Sequence, residues 1–110
     1  MSEIEYSRII KQNEVIISLL GRLVYPEDKL RDKIAKNKKN SEKYVDGYNV
    51  CDGIHTVNQI ADVIGVTQGT LSPILQEWEG SGILYSIVKG RERYYMGLYR
   101  IAKARKKQNG

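Results

Sequence analysis

The chain has 110 residues, 41% of them hydrophobic and 28% charged, with one cysteine and a formal net charge of +5. That length suits one domain with one modest core, and a lone cysteine, Cys51, excludes an internal disulfide framework or a multi-cysteine zinc site. The longest uncharged run, residues 63–76, holds Gly65, Thr67, Gln68, Gly69, Thr70, Ser72 and Pro73 and is no bilayer span, while residues 1–6 lack the pattern of a secretory signal; a soluble, cytoplasmic protein is expected.

Residues 4–24 read as an amphipathic helix. Ile9, Ile16 and Leu23 recur every seven residues, Leu20 falls four after Ile16, and Ile10, Ile17 and Val24 widen the stripe. The stripe needs a partner, either the body of the domain or the same helix in a second copy, with Asn13 a polar residue in the seam that sets register. Dimerisation through Ile9, Asn13, Ile16, Leu20 and Leu23 is the reading adopted, because so small a chain offers little surface to cover the stripe. Pro26 suits the first turn of a second helix, with Glu27 and Asp28 at its positive end and Lys36, Lys38 and Lys39 at its negative end. Leu30 and Ile34 give that helix only a narrow apolar edge, so it is expected to be mostly exposed. Residues 1–40 are therefore read as an N-terminal helical extension.

Asn40 and Ser41 break the second helix and cap a third, in which Tyr44, Val45, Tyr48 and Cys51 repeat at helical spacing until Asp52 and Gly53 end it. Cys51 reads as a small buried apolar residue. Next, Thr56 and Gln59 form a capping-box pair that starts a fourth helix with Ile60, Ala61 and Ile64 inward. Gly65 stops it, and Thr67 caps a fifth helix with Leu71, Ile74, Leu75 and Trp78 on one face. Two short helices joined by a glycine-containing turn describe a helix-turn-helix. Residues 84–88 are β-prone, Lys89, Gly90 and Arg91 suit a hairpin tip, and residues 93–96 return as the partner strand.

Residues 56–75, TVNQIADVIGVTQGTLSPIL, carry the small Ala61, the turn glycine Gly65 and the apolar plugs Val66, Leu71 and Ile74 in register. In this the sequence resembles the helix-turn-helix of bacterial and archaeal transcription regulators. With the following basic hairpin, residues 41–98 are similar to the winged-helix domain of MarR-type and ArsR-type regulators. The resemblance implies a mainly α fold, a three-helix core with a small β-hairpin wing, and a second motif helix that enters the major groove of double-stranded DNA. It also implies homodimers held by helices outside the winged domain, which residues 4–24 would supply.

The charge is unevenly spread: residues 51–83 sum to −4 and residues 84–110 to +7. On the recognition helix, Gln68 and Gln76 can pair bidentately with adenine, Thr67, Thr70 and Ser72 can donate to phosphates or bases, and Gly69 lets backbone approach DNA. Attraction to phosphate then falls to Lys89, Arg91 and Arg93 on the wing, and to Arg100, Lys103, Arg105, Lys106 and Lys107 in a basic tail over residues 99–110. The recognition helix itself has no Lys or Arg, and Pro73 inside it removes a backbone bond at a cost of roughly 3 kcal/mol. Either the turn accommodates it or the helix begins at Ser72 and Pro73.

No catalytic constellation stands out. His55, the single histidine, lacks a motif partner and reads as a surface or capping residue, and no phosphate-binding glycine loop occurs. No cofactor or metal is expected. The expected function is a nucleoid-associated transcription regulator; its rivals are a winged-helix protein-interaction adaptor and a single-strand binder using Tyr94, Tyr95 and Tyr99 as stacking platforms.

Overall fold

The structure is a computed structural model that describes residues 2–36 and 38–102. Among the described residues five helices precede one hairpin: α1 (Glu3–Val24), α2 (Glu27–Ala35), α3 (Ser41–Asn49), α4 (Val57–Ile64), α5 (Gln68–Gly80), β1 (Leu84–Lys89) and β2 (Glu92–Gly97). The chain is thus mainly helical with a two-stranded antiparallel sheet. None of the described helices is long and apolar enough to cross a membrane.

The Ser2 hydroxyl caps α1 by accepting from the Glu5 amide, with Glu3 and Glu5 at its positive end and Arg22 at its negative end. Only Gly21 is buried along the whole of α1. Pro26 takes the cap position of α2 rather than its first turn, and the helix ends at Ala35, so Lys38 and Lys39 lie beyond it. Leu30 and Ile34, the narrow apolar edge expected of α2, are fully buried in the common core, while the rest of the helix stays outside it and is mostly exposed, as expected. Their four-residue spacing puts both on one side of the helix, and that side packs on α3.

Tyr44, Val45 and Tyr48 of α3 join Ile60, Ala61 and Ile64 of α4 and Leu71, Ile74, Leu75 and Trp78 of α5 in the same core. Close approach of α3 to α4 depends on Gly47, where a Cβ would stand 2.3 Å from Ile64 Cγ1. The capping box forms as expected: Thr56 Oγ1 accepts from the Gln59 amide at 3.2 Å, and Gln59 Oε1 accepts from the Thr56 amide at 2.8 Å. Gly65 then ends α4 with φ +86°, a left-handed conformation that L side chains resist, and the amides of Gly65 and Val66 both return to the Ala61 carbonyl.

Helix α5 is continuous from Gln68 and carries Pro73 in its interior, which excludes a start at Ser72. Thr67 caps it, accepting from the Thr70 amide at 3.1 Å. The bond lost at Pro73 is one that the Gly69 carbonyl would have accepted, and that turn is exposed, so water can replace it. The hairpin pairs Leu84 with Gly97 and Lys89 with Glu92. Asp52 bridges to Met96 on the free side of β2, and the Gly53 amide donates to the Tyr95 carbonyl. One buried phenol ties both ends of the hairpin to α3: Tyr48 donates to the Ile83 carbonyl at 2.6 Å and accepts from the Leu98 amide at 2.7 Å.

Residues 99–102, counted with the basic tail in the sequence reading, run along the body. Tyr99 and Ile101 are buried, and the Asn49 amide pairs with the Ile101 backbone in both directions at 2.8 Å. The packed body therefore takes in α2 and residues 99–102, on either side of the expected 41–98 domain. Lys103, Arg105, Lys106 and Lys107 lie outside the described residues.

Candidate nucleic-acid interface

The buried stripe of α5 turns its opposite side to solvent, where Gln68, Gly69, Ser72, Pro73 and Gln76 are all exposed. Gln68, Ser72 and Gln76 follow one another at four-residue spacing and so form a single row about 12 Å long. The two glutamine amides enter no hydrogen bond among the described residues, leaving donor and acceptor available. The hydroxyls are more committed. Thr67 donates to Thr70 Oγ1 at 3.0 Å, and Ser72 donates to the Gln68 carbonyl at 3.0 Å, so the Ser72 proton is spent within its own helix.

The hairpin cations divide. Successive strand residues face opposite sides of a sheet, and Leu84 and Tyr95 fix which side of this one meets the core. Arg93, paired with Val88, shares that side but projects beyond the core. Lys89 lies on the other side, where its ammonium donates to the Gly53 carbonyl at 2.7 Å and sits 5.2 Å from the Tyr94 ring centroid. Arg91 is exposed at the tip. Lys89 is thus a tether between the hairpin and the loop before α4, a role its position in sequence did not reveal. Arg100 is exposed elsewhere, lining a hollow with Asp46, Asn49, Val50 and Val63, and joins neither α5 nor the hairpin.

Sequence reasoning missed a cation at the turn that leads into α5. Lys43, on the first turn of α3, reaches the turn between α4 and α5, its Nζ beside Gly65. Helix α3 brings it there from outside the segment of net charge −4. Its neighbour Glu42 is occupied by Arg31, whose guanidinium donates to Glu42 at 2.7 Å and to the Ala102 carbonyl at 2.7 Å.

The loop after α3 is ordered by Asp52, whose carboxylate accepts from the amides of Ile54 and His55 and contacts His55 Nδ1 at 2.9 Å. Desolvation pushes its carboxyl up, but the His55 ring and the two amides outweigh that and hold it below the usual range. His55 therefore helps order this turn through Asp52, while the cap of α4 is Thr56. Burial pushes the Cys51 thiol up to about 12, with the Asp52 charge adding to the effect, so it stays protonated and unreactive. Tyr95 and Tyr99 are buried, and Arg22 covers the Tyr99 ring at 4.3 Å, which removes them as stacking platforms. Among the described residues no cluster of three or more His, Cys, Asp or Glu side chains could hold a metal ion.

No family model, curated protein or solved structure matches this chain.

Proposed function

We propose that the chain is a winged helix-turn-helix protein that binds double-stranded DNA in a sequence-specific way as a homodimeric transcription regulator. Helix α5 enters the major groove, α4 crosses the backbone, and the hairpin serves as the wing. The observation that carries this reading is the exposed row of Gln68, Ser72 and Gln76 on a helix whose other side is locked in the core. Two unbonded glutamine amides on a rigid support are suited to reading adenine edges. Lys43 at the turn and Arg91 and Arg93 on the wing would then hold phosphates on either side of the reading helix. Such work needs no cofactor and no catalytic step, and it places the protein with the nucleoid in the cytoplasm.

Selection of bound duplexes from a random pool tests the reading. The expected product is an enriched inverted repeat with half-sites about 10 base pairs apart or a multiple of that. Failure to retain any duplex at low salt would overturn it. A protein-interaction adaptor is favoured by one observation, the absence of Lys and Arg from α5 together with Glu77 and Glu79 toward its far end. That reading predicts no enriched sequence in the same selection.

A further inference from the structure

Helix α1 spans 22 residues yet buries only Gly21. Near its C-terminus the body holds it: a Cβ on Gly21 would stand 2.9 Å from Leu98 Cβ, and Arg22 lies over Tyr99. The other side is free. There Tyr6, Ile9, Asn13, Ile16, Leu20 and Leu23 alternate at spacings of three and four, the seam spacing of a two-stranded coil. The apolar members of this seam are 41% exposed at Ile9 and 78% exposed at Leu23, with the others between. With the flanking Ile10, Leu19 and Val24, the face exposes on the order of 1,000 Å² per chain, so a partner covering most of it would approach the roughly 800 Å² each side buries in a standard stable complex. The face exceeds the few hundred Å² of contiguous apolar surface usual on a monomer. The helix carries equal numbers of basic and acidic residues, so no cationic flank marks it for an anionic lipid surface.

We infer that a second copy of this chain covers this face in a parallel two-stranded coil, with the two Asn13 side chains paired across the two-fold axis. This rests on the homodimer in the proposed function and gives it a polarity. Parallel alignment sets equal residues opposite one another, so each Asn13 amide finds the donor and acceptor of its twin. Antiparallel alignment sets Asn13 against Ile16 of the partner subunit and leaves a covered amide unpaired, which disfavours it. The flanks agree with the parallel arrangement. Beside Leu20, Gly21 and Val24 the body adds Tyr25, Gly82 and Leu98 to form an apolar groove. Leu19 of the partner subunit comes alongside Val24 in a parallel pair and closes that groove. Both DNA-facing bodies then hang from the same end of the coil.

The polarity is read by cross-linking the whole chain. In a Cys51→Ser background, Tyr6→Cys places one thiol in the seam near the N-terminus. Light scattering should give twice the chain mass for the unaltered protein, and mild oxidation of the Tyr6→Cys variant should link nearly all of it as dimer. Ile16→Glu should give the monomer mass while the thermal transition of the body persists. A monomer mass for the unaltered protein overturns the inference. So does a dimer that links only when Tyr6→Cys and Leu23→Cys chains are mixed, the antiparallel result. Neither outcome depends on DNA, so failure of the duplex selection leaves this test standing.

Discussion

The ammonium of Lys43 lies 3.9 Å from the point where a Cβ on Gly65 would stand. The two residues are far apart in sequence, yet the contact sets a positive charge beside the start of α5, in a region whose own residues sum to −4. Helix α3 thus contributes a positive charge to the turn that leads into α5.

Lys43→Gln is expected to weaken binding to all duplexes alike. If Lys43 neutralises one phosphate, the log–log salt slope should lose about 0.9. Lys89→Gln should change the slope less, since the Lys89 ammonium already serves the Gly53 carbonyl. Fluorescence anisotropy at several salt concentrations measures both, and equal losses for the two variants would contradict the assignment.

Base reading and phosphate holding should separate. Gln68→Ala and Gln76→Ala are each expected to cost about 1–3 kcal/mol of discrimination at one base pair while leaving the salt slope unchanged. Arg91→Gln with Arg93→Gln should flatten the slope by roughly 1.8 and leave the preferred sequence intact. Competition between the selected duplex and point-altered versions resolves the two effects.

Gly47→Ala tests the fit of α3 against α4. A methyl group at 47 meets the Ile64 side chain within 2.5 Å at both Cγ1 and Cδ1, so the helices must part or Ile64 must leave its rotamer. The expected loss is about 1–3 kcal/mol, read from urea unfolding. In the Ile64→Ala background the same Gly47→Ala change should cost little, because both clashing carbons are gone and the Cβ of residue 64 stands 3.8 Å away.

Stability should decline on the alkaline side. The folded Cys51 thiol titrates near 12, against 9.0 for a free one. Below about pH 9 both states are protonated and nothing is lost; above it the unfolded thiol ionises first and stability falls as pH rises toward the folded value. The buried Tyr48 phenol, also pushed up by burial, acts in the same sense. Urea midpoints at about pH 7 and about pH 10.5 should differ less for Cys51→Ala than for the unaltered chain. A thiol reagent at about pH 8 should label Cys51 only after unfolding.

Where local chemistry decides the structure, the sequence is legible. The Thr56–Gln59 capping pair, the glycine at 65 and the Thr67 cap are each short-range devices, and α4, the turn and α5 follow from them. The hairpin tip at Gly90 belongs to the same class. What escaped depends on distant surfaces. Two apolar residues on α2 reveal nothing of the groove that receives them, yet Leu30 and Ile34 are fully buried. The sequence after residue 98 does not show where Tyr99 and Ile101 pack, since their places are fixed by distant partners at Tyr25 and Asn49. In the candidate site the glutamine row was legible, because helical periodicity alone defines it. The tether at Lys89 and the approach of Lys43 were not, since each joins residues remote along the chain.

Tyr25, just past the end of α1, donates its hydroxyl to the Ser81 carbonyl at the end of α5, while its own carbonyl accepts from Tyr99. The long helix and the glutamine-bearing helix thus share one aromatic joint. A twist of the first would bear on the foot of the second, so in the proposed dimer the angle at which two copies clasp each other would be linked to the pitch at which each presents its glutamines.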